Sequence, residues 1–215
     1  MDGRSTRRPE HTIRQHLNHM PDLGLQTQAE RHFGFLVTEK GYRRNQSTPY
    51  RVRFESPTTF VELVYDGNRS FELGLLVGEI ASEVSGNPAF SIDEILRLRR
   101  APEAKKFSLI QVTSRELLAS FIEQLAQLLR TYGEDFIAGN ERSFAELAEQ
   151  RRKEVEAYAL ERDLRKARAE ADNAWHRKDY PAVVKALKPL RAALTAAEVG
   201  KLEFAEKQSR SETHN

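Results

Sequence analysis

The sequence contains no cysteine. That excludes disulfides, thiolate metal sites and a cysteine nucleophile, and it suits a reducing compartment. Long apolar runs are missing as well. No stretch approaches the roughly 18 apolar residues that a membrane span needs. Hydrophobic residues make up only 39% of the chain while charged residues reach 31%. The balance points to a core diluted by solvated helix. Charge of one sign is also lacking: 34 basic and 32 acidic side chains leave a net charge of +2. No global field therefore draws the chain to nucleic acid or to anionic membranes. The opening MDGRSTRRPEHTIRQHLNH has arginines but no apolar stretch. No secretory signal is expected, and the cytoplasm is the expected location.

Chemistry-bearing motifs are scarce. There is no glycine-rich phosphate loop, no histidine-glutamate zinc helix and no serine in a nucleophile elbow. Asp93-Glu94 and Glu134-Asp135 are adjacent carboxylates that diverge on a helix, which suits capping better than an acid/base pair. His11, His16 and His19 lie in a polar tail, and a metal site needs a fixed frame. No catalytic residue, metal or cofactor is assigned.

What is present is organised around Tyr50 to Val77, YRVRFESPTTFVELVYDGNRSFELGLLV. Three runs alternate with period two. Tyr50, Val52 and Phe54 oppose Arg51, Arg53 and Glu55; Val61, Leu63 and Tyr65 oppose Phe60, Glu62 and Val64; Phe71, Leu73, Leu75 and Val77 form the third apolar face. Ser56-Pro57-Thr58 and Asp66-Gly67-Asn68 supply the turns, the second through positive φ. The pattern predicts an antiparallel meander of three or four strands with one face buried. The fourth strand would be Phe107 to Val112, a segment that equally suits the lead-in to a helix.

Helices should cover that face. One is predicted from Leu25 to Lys40, with Ala29, Phe33, Leu36 and Val37 inward and Gly41 closing it. The link Tyr42 to Ser47 reads as polar and exposed. A capping box at Ser91 to Glu94 opens a short helix, and another at Thr113 to Glu116 opens a longer one through Leu129, closed by Gly133. From Ser143 to Trp175 there is neither proline nor glycine, and charges alternate, which predicts one long helix. A hairpin follows, its second helix opening at the capping box Thr195 to Glu198. The expected organisation is an α+β class chain: a disordered tail at 1–21, a body at 22–140, a helical arm and hairpin at 141–208, and a frayed terminus at 209–215.

Two surfaces stand out. Arg43, Arg44, Arg51 and Arg53 could grip an acidic surface of another protein, since guanidinium forks pair with carboxylates bidentately. The competing account makes Arg51 and Arg53 cross-strand partners of Glu55, Glu62 and Glu72. In the tail, Tyr158, Trp175 and Val184 are expected to form an apolar edge that a twofold homodimer would bury, against a monomer whose tail helices complete their own bundle.

AWHRKDYPAVVKALKPL followed by LTAAEVGKLEFAEKQ resembles one unit of a tetratricopeptide repeat, without the usual glycine and without a second copy. As a whole, FGFLVTEKGY and the meander followed by a helical tail resemble uncharacterised small bacterial α+β proteins, loosely similar to the immunity proteins of toxin systems. That resemblance implies a non-catalytic protein-binding module that neutralises a toxin. It transfers no binding residue. The other readings are a nucleic-acid-binding accessory protein and an enzyme of unrecognised class.

Overall fold

The computed structural model describes residues 22–86, 89–109 and 111–212. The expected tail at 1–21, with His11, His16 and His19, lies outside them. The chain divides into two compact units, the first ending at Leu147 and the second beginning at Ala148. The boundary falls beyond 140 because Phe144 and Leu147, 2% and 0% exposed, sit in the core of the first unit.

The first unit is α+β. Its antiparallel sheet has five strands in sequence order: β1 (Arg43–Thr48), β2 (Arg51–Glu55), β3 (Thr59–Tyr65), β4 (Leu73–Glu79) and β5 (Phe90–Ser91). The meander is thus wider than the sequence pattern indicated. β1 arises from the segment read as an exposed link, because RRNQST has no apolar alternation to mark it; pairing with β2 makes it a strand. The segment Phe107 to Val112 forms no strand among its described residues. It contributes a single bridge, Gln111 to Glu72, and Val112 is pinned where the Tyr65 hydroxyl donates to its carbonyl at 2.8 Å.

One sheet face carries Val52, Phe54, Val61, Leu63, Tyr65, Leu73, Leu75 and Val77, all at most 4% exposed. That alternation is the one the sequence displays, and burying it is the main driving force for the unit. The helices α1 (Leu25–Thr38), α3 (Ile92–Leu98) and α4 (Arg115–Tyr132) contribute Phe33, Ile95 and Leu125 to the same core. In α1, Val37, expected inward, is 45% exposed, and Phe35 is buried. Gly41 does close the turn after α1 at φ 73°. The capping box before α3 forms, with the Ser91 amide donating to Glu94 at 2.9 Å. At α4 the cap is Ser114, which accepts from the Leu117 amide at 3.2 Å, and not Thr113.

Gly67 serves a purpose other than the expected positive φ. The left-handed residue of that turn is Phe71, at φ 58°. A Cβ at Gly67 would lie 2.9 Å from the Tyr50 ring and 3.0 Å from the Tyr65 ring, so glycine is needed for their close approach. Tyr42 ties the short helix α5 (Glu134–Ile137) to β3: its buried hydroxyl lies 2.6 Å from Thr59 Oγ1 and donates to the Ile137 carbonyl at 2.9 Å.

The long helix is present as α6 (Glu141–His176), and most of it belongs to the second unit. There α7 (Tyr180–Leu187) and α8 (Ala196–Glu212) close on its carboxyl-terminal half, with a short 3-10 stretch from Lys188 to Ala193 between them. Pro189 cannot donate an amide to continue α7, which explains the tighter stretch. The small core contains Ala167, Ala171, Ala174, Val183, Leu187, Leu202 and Ala205. The capping box at α8 forms, with Glu198 accepting from the Thr195 amide at 2.8 Å. Arg168 also grips Glu198, at 2.5 Å, and these contacts pull its pKa down to about 2. The helix continues to Glu212, into the segment expected to fray.

Candidate functional site

Two places concentrate charge or exposed apolar surface, one in each unit. In the first unit it is the sheet face turned away from the main core. Strand alternation places Arg51, Arg53 and Glu55 there from β2, and Phe60 and Glu62 from β3. The register sets Arg53 directly opposite Glu62. The short helix α2 (Ile80–Val84) then brings Glu83 over the same spot.

Arg53 is 8% exposed and fully engaged. Its Nε donates to Glu55 at 2.6 Å, and its Nη1 and Nη2 donate to the two oxygens of Glu83 at 2.8 and 2.7 Å. The guanidinium carbon sits 3.7 Å from the centre of the Phe60 ring, a cation–π stack. Beneath that ring Gly78 leaves room: a Cβ there would come within 2.5 Å of it. Glu55 is held from its other side by the Asn45 amide at 2.5 Å.

Glu62 differs from the other carboxylates. It is 5% exposed, and its Oε1 accepts no hydrogen bond. Its nearest cations are Arg51 Nε at 3.5 Å and Arg53 Nη1 at 4.0 Å. Burial raises its pKa, Arg51 and Arg53 oppose that rise, and Glu83 and Glu55 add to it. Glu83 shifts the other way, lowered chiefly by its bond to Arg53.

These opposite shifts give a pH signature. A carboxyl whose folded pKa is raised favours folding while protonated, and that contribution disappears as pH climbs from the unfolded value through the folded one. Glutamine imitates the protonated form. Glu62→Gln is therefore expected to gain stability relative to the parent as pH rises from about 4 to about 7. Urea unfolding of both proteins across that range measures it. A constant difference would show that Glu62 ionises as freely as a surface glutamate.

The four arginines singled out by the sequence are not one surface. Arg44 lies opposite Phe54, on the core-side face of the sheet, and forms an ion pair with Glu30 of α1. Arg43 lies opposite Glu55, on the side of Arg53; it is exposed and has no ion-pair partner among the described residues. Arg51 retains about half its exposure, and Arg53 is enclosed. Glu83 and Phe60 were not foreseen as parts of this cluster. Alternation already put Phe60 on the face of Glu62, but nothing local marks Glu83, because α2 reaches Arg53 only once the sheet is folded.

The second unit has a different character. Trp175, Tyr180 and Phe204 form a ring cluster, with centroids 5.8 Å apart for Trp175–Tyr180, 5.4 Å for Trp175–Phe204 and 5.7 Å for Tyr180–Phe204. Lys201 Nζ lies 5.1 Å from the Trp175 ring. Phe204 remains 45% exposed. Of the expected self-association residues, Trp175 and Val184 both pack against the small core. Tyr158 lies apart, about 25 Å along α6 from Trp175 at helical rise. It is 64% exposed, beside Val155 at 61%. A groove of about 850 Å³ between α6 and α7 is floored by Ala167, Ala174, Ala182 and Ala186 and edged by Asp163, Glu170, Lys166 and Lys185. Its edges carry both signs of charge, so it selects no ligand charge.

Among the described residues no group of three or more histidine, aspartate or glutamate side chains is arranged to hold a metal ion. None of their helices is long and apolar enough to cross a membrane. No protein-family model matches the chain, and neither a curated protein nor a solved structure is detectably similar to it.

Proposed function

We propose that the chain is a non-catalytic protein-binding module whose contact surface lies on the helical unit. The observation that carries this reading is the apolar exposure there: Val155 at 61%, Tyr158 at 64% and Phe204 at 45%, on helices whose other outward residues are largely charged. Val155 with Tyr158, and Phe204 beside Trp175, form two separate spots of exposed apolar side chains ringed by polar residues, each with the composition of a contact patch. Tyrosine is also among the side chains that most often anchor an interface. In the body, where Val84, Leu109 and Leu117 are also exposed, the charged groups of the sheet face are closed upon one another, as the bonds of Arg53 to Glu55 and Glu83 illustrate. An immunity-like role, in which the module covers the working surface of a toxin, is the version the resemblance suggests.

A photo-crosslinking residue placed at Tyr158 or Phe204, with Val37 on α1 as the body control, tests the reading in the source cell. A discrete adduct with one other polypeptide from the helical positions, and none from Val37, is expected. An adduct with a second copy would make the chain its own partner, as the twofold dimer requires. No adduct at either helical position overturns the reading.

A further inference from the structure

We infer that the short helix α2 is a latch on the outer sheet face, held down or released according to the charge on Glu62. The inference concerns the body and stands apart from the protein-binding reading of the helical unit.

Little holds α2 in place. None of its five residues is buried, and Val84 is 84% exposed. The Ile80 amide donates to the Thr58 carbonyl at 2.9 Å where the helix begins, and the Ser82 hydroxyl bonds back to the adjacent Glu79. Among the described residues, Glu83 alone ties the far end of α2 to the sheet, by its two bonds from Arg53 at 2.8 and 2.7 Å. So short a helix is not stable in water without such support, and it unravels when that bond is lost.

Arg53 is also the guanidinium that Glu62 needs. The strand register sets the two directly opposite each other. Glu62 Oε1 stands 4.0 Å from Arg53 Nη1 and 3.5 Å from Arg51 Nε, and it accepts a hydrogen bond from neither. Both Nη groups of Arg53 are committed to Glu83, and its Nε to Glu55. Two carboxylates thus compete for one fork. Glu83, with its side chain 48% exposed, is hydrated once released, whereas Glu62, at 6%, is not. An ionised carboxylate buried without a donor is unfavourable, and the smallest rearrangement that relieves it turns Arg53 from Glu83 to Glu62.

The proton on Glu62 decides between the two arrangements. The charged groups that face it are Arg51, Arg53 and Glu55 from β2 and Glu83 from α2, while β4 sets the uncharged Leu76 opposite it. Burial raises its pKa in the closed form, and a direct bond from Arg53 in the open form lowers it. The closed form therefore binds the proton more tightly, so mild acid closes the latch and rising pH opens it. Arg53 holds the Glu83 carboxyl below its ordinary range, so Glu83 keeps its charge while Glu62 titrates. Opening bares the stack of Arg53 on the Phe60 ring.

Backbone amide exchange, followed by NMR on the full-length protein, tests the latch. The probe is Ser85, whose amide donates to the Ala81 carbonyl at 3.2 Å across α2. The reference is Val112, whose amide donates to the Phe71 carbonyl at 2.7 Å near the opposite end of β4. Each rate is divided by that of an unprotected amide at the same pH. Between about pH 4 and about pH 7, the protection of Ser85 is expected to fall about tenfold relative to that of Val112. Glu62→Gln imitates the protonated form and should keep Ser85 protected throughout. Glu83→Gln weakens the bond to Arg53 and should leave Ser85 poorly protected across the whole range. A parent protein in which Ser85 and Val112 change in parallel overturns the inference, because Glu62 then titrates without moving α2. So does a pH dependence that survives Glu62→Gln, or full protection of Ser85 in Glu83→Gln, which would show that another contact holds the helix down.

Discussion

Replacing Arg53 by alanine is expected to destabilise the protein by about 3–5 kcal/mol, the cost of removing one partner from a buried ion pair. The side chain is 10% exposed and joins three carboxylates and an aromatic ring. Without it, Glu55 and Glu83 lose their charge-assisted bonds but keep access to water. Glu62 does not. At 5% exposure it would be left with Arg51, 3.5 Å from an oxygen that already accepts no hydrogen bond. Most of the loss is the desolvation of that carboxylate rather than the worth of the pair. The double change Arg53→Met with Glu62→Leu removes both buried charges at similar volume and should recover most of the stability. Equilibrium urea unfolding followed by circular dichroism separates the two cases. A loss below about 1 kcal/mol for Arg53→Ala would place the network among ordinary surface ion pairs.

Leu202→Ala should cost the helical unit about 2–5 kcal/mol. Leu202 is fully buried against a core otherwise composed of alanines, Val183 and Leu187. So small a core has few large side chains to move into the space, and most of the cavity should persist. The readout is local. The chain has a single tryptophan, Trp175, which stands in the ring cluster beside that core. The denaturant midpoint of its fluorescence is expected to fall. Phe204→Ala, at a position 45% exposed, is expected to shift the same midpoint far less. Equal shifts from the two substitutions would contradict the division between core and contact surface in this unit.

The contrast between the units explains how much was legible in the sequence. β2, β3 and β4 announced themselves because within each of them the buried core face alternates with period two. β1 did not, since its residues are exposed or half-exposed and its place comes from hydrogen bonds to β2. The capping boxes at Ser91 and Thr195 were readable because cap and partner lie three residues apart. The candidate sites divide along the same line. Arg51 and Arg53 on one strand face were visible as a pair, but whether they reach outward or close inward depends on Glu62 across the strand and Glu83 from α2. Tyr158 could be picked out as apolar amid charge, whereas only folding shows that Trp175 and Val184 pack on a core while Tyr158 stands free of it.

The sequence by itself therefore determined the α+β class, the meander, the long helix and the hairpin, all properties carried by periodicity and by neighbours a few residues apart. Those interactions need no partner from elsewhere in the chain, so the order of residues suffices to specify them. The tertiary structure alone decided the strands β1 and β5, the closure of the arginine face by Glu83, the burial of the Glu62 carboxylate and the extension of the body core to Leu147. Apart from β1, which folds onto β2 across a two-residue turn, each depends on the pairing of segments well separated in sequence. Such pairing is set by which surfaces exclude water together, and no local pattern encodes it.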